Sequence, residues 1–294
     1  MSPTNWTIKD LLKTTTDYLK KKEIDSPRLS AEILLAYQLK INRVNLYLNF
    51  DQPLNDNEIA GYRSLIRRRL QREPIQYITG IQEFWSMEFN VGPQVLIPRP
   101  ESELLVEQAL FLYKERRLPG IPGPRILDLG TGCGAIAISM ARELEDASIW
   151  ASDISKEAVD LAMFNSRKHG VEERIQFIVG DLWEPFMHQN LTFDIILSNP
   201  PYIVSNDFGS LPPEVRDHEP RLALDGHEEG MFFIERLIMN GSDYLSPGGW
   251  ILLEMDPEQT TKTLKLIEKS GHYGEKKRIK DYSNQYRVVM AQKG

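Results

Sequence analysis

The chain has 294 residues, 41% hydrophobic and 26% charged, with a formal net charge of −7. These proportions lie in the ordinary globular range and exclude a disordered chain, a collagen-like repeat and a small disulfide scaffold. Length predicts one large or two modest domains. No apolar run approaches the roughly 18 residues of a membrane-spanning helix. The opening MSPTNWTIKD lacks the basic-then-apolar pattern of a secretion signal. The single cysteine, Cys133, permits no intrachain disulfide, and a reducing, cytoplasmic setting is expected.

Charge divides the chain unevenly. Residues 1–80 hold 13 Lys/Arg and 9 Asp/Glu, a balance of +4, so the rest carries −11. A basic front on an acidic body suggests two parts, with either an acidic partner for the front or a plain solvated surface. The front reads as short helices. Thr7 and Asp10 form a capping-box start, with Ile8, Leu11, Leu12 and Leu19 on one face. Ser26 is placed as the cap before Pro27, followed by the stripe Leu29, Ile33, Leu34 and Tyr37. A longer helix is predicted from about Asn57 to Gln71, with Ile59, Tyr62, Ile66 and Leu70 inward. Its other face carries Arg63, Arg67, Arg68 and Arg72, and Glu73-Pro74 ends it. The period then changes to two: Trp85, Met87, Phe89 and Val91 alternate with polar residues, a strand or hairpin. A helix over about Glu101–Glu115 and a Pro119–Pro124 loop follow. Thereafter RILDLG, SIWASD, IQFIVGD, DIILSNP and WILLEM alternate with helical stretches such as Lys156–His169 and Met231–Asn240. Apolar strands of this kind predict a mostly parallel α/β sheet.

Between the first of these strands and its helix lies Asp128-Leu129-Gly130-Thr131-Gly132-Cys133-Gly134-Ala135. Glycines at such a turn allow a tight bend and close approach of a ligand to the backbone. Asp153 ends the second strand, where an acidic residue accepts hydrogen bonds from ribose hydroxyls. The pair points to a nucleoside-containing cofactor. The loop alone also fits the dinucleotide fingerprint G-x-G-x-x-A, so NAD stays open on these residues. Taken alone, Asp153 would more often be a helix cap or a surface charge, and its place after a buried strand is what raises it; Cys133 reads as a small loop residue. Asp181, with Leu182 and Trp183, ends the third strand, either beside the base of such a cofactor or as an ordinary turn.

The most specific element is Asn199-Pro200-Pro201-Tyr202, after the fourth strand. Two prolines stiffen the segment, and Pro201 brings no N–H. The Asn199 side-chain oxygen and the Pro200 carbonyl are thereby two fixed acceptors for a planar NH₂ group, on which Tyr202 can stack. An amide nitrogen is a poor nucleophile. Holding both its hydrogens lets it move toward tetrahedral geometry and aims its lone pair at an activated methyl group. Positioning of that kind is worth roughly 7–11 kcal/mol.

These motifs resemble those of class I methyltransferases that use S-adenosylmethionine. With Glu73–Glu107 and the C-terminal LLEMD and RIKDYSNQYRVV segments, the chain is similar to the PrmC/HemK family of peptide chain release factor N(5)-glutamine methyltransferases. The similarity spans nearly the whole chain. It is strong from Glu73 to Tyr202 and weaker in the first 70 residues. It implies a Rossmann-like, mostly parallel seven-stranded sheet, a small all-α N-terminal domain (1–80) that docks substrate, a β-hairpin linker (81–97) and a catalytic domain (98–294). By that resemblance Gly130, Thr131, Gly132, Cys133 and Gly134 surround the methionine and ribose of S-adenosylmethionine. Asp153 binds its ribose, Asp181 and Leu182 lie by adenine, and Asn199 also borders the cofactor. Asn199, Pro200, Pro201 and Tyr202 hold the substrate glutamine of the Gly-Gly-Gln motif in class I release factors, with Asn199, Pro200 and Tyr202 catalytic. Pro98-Arg99-Pro100-Glu101 is expected near the cofactor or the site mouth. No metal, membrane or direct nucleic-acid partner is implied. The rival readings are glutamine methylation of a large-subunit ribosomal protein, exocyclic-amine methylation of nucleic acid, and a non-catalytic adaptor docking through its arginine face. The acidic body argues against nucleic acid.

Overall fold

The computed structural model describes residues 6–115, 117–118 and 123–294. The first five residues and most of the Pro119–Pro124 loop lie outside that range. The described chain forms two compact units. One contains the chain up to Ile81 together with Pro212–His218, and the other contains Gln82–Leu211 and Glu219–Gly294.

The first unit is helical: α1 (Ile8–Lys21), α2 (Pro27–Leu39), α3 (Arg43–Leu48), α4 (Asp56–Leu70) and α5 (Ile75–Thr79). The capping box opens α1, with Thr7 Oγ1 accepting from the Asp10 N–H at 3.2 Å. An analogous box, Asn55 with Glu58, opens α4. Two expectations for α2 need correction. Ser26 is no side-chain cap: its φ of +47° leaves no such hydrogen bond, and only its carbonyl accepts from Ser30. The buried face is Ala31, Leu34 and Leu35, whereas Leu29 and Tyr37 are exposed. The reason is Glu32, which is buried and held by Arg28, Tyr47 and, at 2.8 Å, Arg43. That paired carboxylate occupies core surface that an apolar count assigns to leucines. On α4, Ile59, Tyr62 and Ile66 are buried as expected, and Arg63 and Arg67 are exposed. Arg68 pairs with Glu73 at the helix end. Arg69 is buried, donating to Glu214 at 2.9 Å and to the Glu73 carbonyl at 3.2 Å. Arg72 lies 3.6 Å from the same Glu214 carboxylate.

The second unit opens with a hairpin, β1 (Ile81–Phe84) and β2 (Met87–Asn90). Trp85 and Ser86 both take positive φ, +51° and +55°, the signature of a two-residue type I′ turn. Trp85 therefore sits in the turn, while Phe84 and Phe89 fill the buried face. After α6 (Glu103–Lys114) come β3 (Arg125–Leu129), α7 (Ala135–Glu143), β4 (Ser148–Asp153), α8 (Lys156–Lys168), β5 (Ile175–Val179), β6 (Phe193–Ser198), α9 (Phe232–Tyr244), β7 (Leu245–Glu254), α10 (Gln259–Ser270), β8 (Tyr273–Lys280) and β9 (Tyr286–Lys293). Strands β3 to β9 form one sheet in the order β5-β4-β3-β6-β7-β9-β8. β3 to β7 are parallel, and β9 runs antiparallel between β7 and β8. The interior β6 is buried at every position, which explains its unbroken apolar run. Leu127 and Leu129 of β3 share one core with Ile234, Leu237 and Ile238 of α9. Strand order reverses between β3 and β6. A crevice at such a reversal, beyond the carboxyl ends of the strands, is where open α/β sheets bind ligands.

Candidate active site

A cavity of about 400 Å³ lies at that reversal, within the second unit. Its floor comes from the carboxyl ends of β3, β4 and β6, so the glycine loop, Asp153 and Asn199 meet there although 70 residues of sequence separate Leu129 from Asn199. The size suits a nucleoside-bearing ligand.

The glycine-loop side is made largely of backbone. Gly130 and Gly132 have φ of +75° and +56°, and a Cβ on either would meet nothing within 4 Å. Their Cβ positions face open space, so these glycines serve backbone conformation and leave room. Gly134 differs: at φ +86° its Cβ would stand 2.9 Å from Ile138 Cδ1 and 3.1 Å from Ala162, so it serves helix packing. The N–H groups of Gly130 and Thr131 both donate to the Ser152 carbonyl, which pins the loop to β4. Asp153 Oδ2 accepts from the Gly132 N–H at 2.9 Å, and Oδ1 accepts from the Ser155 N–H at 3.0 Å. Burial raises the Asp153 carboxyl above its usual range, with these N–H groups opposing the rise. Each oxygen keeps a further lone pair for a ligand hydroxyl. Behind the loop, buried Asp128 Oδ2 accepts from Thr131 Oγ1 at 2.7 Å and from the Ala137 N–H at 3.2 Å. Burial pushes its carboxyl up to about 7. Cys133 lines the cavity, and burial drives its thiol up to about 12, the environment of an inert cysteine.

Asp181 and Leu182 also line the cavity. The Asp181 carboxylate is engaged by Arg236 at 2.8 Å, and Leu182 holds a φ of +44°. Trp183 is not brought there. Its ring is buried, stacked on Tyr244 at 4.6 Å, and its Nε1 donates to the Arg236 carbonyl.

The opposite side is built from Asn199, Pro200 and Pro201, joined by Pro98 of the Pro98–Glu101 segment and by Ser102, the residue after it. Asn199 Nδ2 donates to Ser102 Oγ at 3.0 Å, so the other end of the amide, Oδ1, remains the acceptor. Tyr202 does not line the cavity; its ring packs against the sheet core and burial raises its phenol above the usual range. The Tyr202 carbonyl accepts from Gln259 Nε2 at 2.8 Å, and the same nitrogen donates to the Gly230 carbonyl at 3.1 Å. Gly226 and Gly230 pack so closely on Tyr202 that a Cβ on either would lie 2.7 Å or less from its backbone.

Several supports escape sequence reasoning. Buried Asn165 of α8 donates to the Cys133 carbonyl at 2.9 Å and exchanges two hydrogen bonds with Asn90, joining the glycine loop to the hairpin. Phe84 and Phe233 line the cavity from distant segments. Ser102 adjoins a segment the sequence places near the site; Asn165 and Gln259 carry no local signal.

Comparison with known proteins agrees with this architecture. The PrmC N-terminal domain family matches residues 10–80, and the methyltransferase small domain family matches residues 108–209. A release factor glutamine methyltransferase of Geobacter sulfurreducens is 42% identical, over 92% of this chain and 91% of its own. One from Rhodopirellula baltica is 39% identical over 99% and 97%, and one from Clostridium acetobutylicum is 34% identical over 98% and 99%. Among solved structures, the hMettl16 catalytic domain shares the fold, with a TM-score of 0.54 at 14% identity over 76% of this chain and 80% of that one. Similarity of this degree along almost the whole length places the chain in the release factor glutamine methyltransferase family.

Proposed function

We propose that this methyltransferase moves a methyl group from S-adenosylmethionine to the side-chain amide nitrogen of the Gly-Gly-Gln glutamine in class I peptide chain release factors. The observation that carries the reading is the Asn199 amide. Its NH₂ end is committed to Ser102, and its oxygen is left to accept; Pro200, which also lines the cavity, would supply its carbonyl as the second acceptor. Two acceptors side by side match the two hydrogens of a primary amide. The residues present fit the cofactor. Open space over Gly130 and Gly132 accommodates its methionine and ribose, Asp153 accepts from the ribose hydroxyls, and Asp181 and Leu182 border the base. When bound, S-adenosylmethionine supplies an electrophilic sulfonium methyl group. Asn199 and Pro200 draw the substrate hydrogens aside and orient the nitrogen lone pair. In-line placement is worth roughly 7–11 kcal/mol, and no strong base is needed before transfer, because an N-methylated amide releases its surplus proton readily. The helical unit presents Arg63 and Arg67 at its surface, and we assign it to docking the protein substrate.

The test supplies labelled S-adenosylmethionine with release factor, ribosomes or DNA in separate reactions. Label is expected on the release factor glutamine, and label on DNA alone overturns the reading. Asn199→Ala is expected to lose at least about a thousandfold in turnover, commensurate with the positioning term, while still binding the cofactor. Near-normal turnover in that variant refutes the two-acceptor arrangement.

A further inference from the structure

We propose that Ser102 and Glu254 are positioning residues for methyl transfer, which together decide which end of the Asn199 carboxamide faces the cavity. The three side chains come from distant places: the turn Pro100–Ser102, the last residue of β7 and the residue after β6. Ser102 Oγ stands 2.6 Å from Glu254 Oε2 and 3.0 Å from Asn199 Nδ2. Ser102 and Glu254 are both buried, so water does not scramble the chain. A serine hydroxyl has one hydrogen to give. With Glu254 ionised, that hydrogen goes to the carboxylate. Oγ is left with lone pairs alone and bonds to Asn199 only through its NH₂ end. The oxygen end is thereby held as the acceptor that a substrate NH₂ requires. A flipped Asn199 would set two acceptors against each other at Ser102 and donors against donors at the substrate. The proposal rests on the reading of Asn199 as the substrate's acceptor.

Protonation of Glu254 removes this direction. Its own O–H then donates to Ser102 Oγ, and the freed serine hydrogen can donate to Asn199 Oδ1. Both amide orientations find a partner, and the flipped one repels the substrate. Burial pushes the Glu254 carboxyl up to about 7. Glu101 raises it, Arg287 and Arg99 lower it, and the Tyr202 phenol also feels its charge. The two arginines are engaged elsewhere, Arg99 with Glu219 and Arg287 with Asp281. Among the described residues Glu254 has no ion pair, so its side-chain hydrogen bond with Ser102 links its protonation to Asn199.

The experiment measures turnover on intact release factor at saturating S-adenosylmethionine, from about pH 5.5 to about pH 8.5, with cofactor affinity measured calorimetrically on each variant. Wild-type turnover is expected to fall as pH drops through about 7. Glu254→Gln, which keeps the volume and has no proton to gain, should lose that acid limb and bind cofactor normally. Ser102→Ala should lose roughly tenfold in turnover above neutrality, about one hydrogen bond to a positioned group, and should also lack the limb. A purely structural role would lower stability without changing the pH profile. An acid limb that survives in Glu254→Gln traces to another group, such as Asp128, and overturns the proposal. So does Ser102→Ala with wild-type turnover and profile. If Ser102→Ala does not fold, the Glu254→Gln profile alone decides. Normal turnover by Asn199→Ala is a different failure: it removes the site reading itself and this proposal with it.

Discussion

The two sides of the cavity solve the same problem by different means. The glycine-loop side uses consecutive residues whose N–H groups and left-handed φ angles shape the space, with Asp153 held by the N–H groups of Gly132 in that loop and of Ser155 beside it. The amide side uses one side chain, Asn199, and a backbone segment held by Ser102, Gln259, Gly226 and Gly230 from far along the chain. A site of the first kind is written in one short stretch. A site of the second kind exists only when the sheet has assembled. Damage to the first should appear in cofactor affinity, and damage to the second in turnover or folding.

The sharpest break between the sides is a pair of glycine variants. Gly230→Ala combines a φ of +68° with a Cβ 2.3 Å from the Tyr202 carbonyl oxygen and 2.4 Å from Gln259 Nε2. A strained backbone and a broken clamp should together cost about 3 kcal/mol or more. Thermal denaturation should show it, and the residual folded protein should turn over slowly. Gly132→Ala meets no neighbour within 4 Å, so its cost should stay near the roughly 1–2 kcal/mol of a left-handed alanine, seen mainly as weaker cofactor binding. Equal stability losses in the two variants would erase the distinction.

Asp153→Ala comes next. It removes a carboxylate at the cavity wall and orphans the Gly132 N–H. Charge-assisted hydrogen bonds of roughly 1.5–3 kcal/mol predict a cofactor Kd raised about 10- to 100-fold. Turnover at saturating cofactor should change by less than about threefold. A normal Kd, or a loss confined to turnover, would place Asp153 outside the cofactor side.

The uneven legibility of the molecule follows from the same contrast. Asp128 to Gly134, Asp153 and Asn199 to Pro201 lie in contiguous motifs, and all but Asp128 and Gly134 line the cavity; Gly134, expected beside the cofactor, packs on Ile138 and Ala162 instead. The sheet was legible because buried parallel strands are apolar throughout. What sequence could not show is long-range polar pairing. On α2 Leu34 is buried as expected, but Leu29 and Tyr37 are exposed while the charged Glu32 is buried, satisfied by Arg28, Arg43 and Tyr47. Arg69, which the helical pattern leaves unassigned, is buried and meets Glu214, 145 residues away. Tyr202 reads as a stacking ring, yet its ring joins the core and its carbonyl anchors the loop. Each case depends on which partner arrives, and no periodicity encodes that.

A smaller effect concerns the buried carboxyl behind each side. Asp128 is raised to about 7 by burial, from 3.8. Its folded value lies above its unfolded one, so folded protein keeps a proton that the unfolded chain releases between about pH 4 and about 7. Stability from this group is therefore lost as pH rises across that window. Asp128→Asn has no proton to lose and keeps an oxygen to accept from Thr131 and Ala137. The variant's melting temperature relative to wild type should move in its favour between pH 5 and pH 8. A difference that is constant or reversed would show Asp128 ionised throughout.

The smallest expected effect lies outside both sides of the cavity, and for that reason it tests whether the cavity suffices. Arg63 and Arg67 are exposed on α4, whereas Arg68, Arg69 and Arg72 are already paired within the helical unit. Reversing Arg63 and Arg67 to Glu therefore changes surface charge without opening an ion pair. Exposed charges act mainly on encounter and are screened by salt. On intact release factor kcat/KM should fall a few-fold at low ionic strength and recover as salt is added. On a short Gly-Gly-Gln peptide, which needs only Asn199 and Pro200 beside the cofactor, it should not change. An equal loss on peptide and protein would mean the substitutions disturb the cavity. No loss on either would make these arginines a solvated helix face, leaving recognition of the release factor to other surfaces.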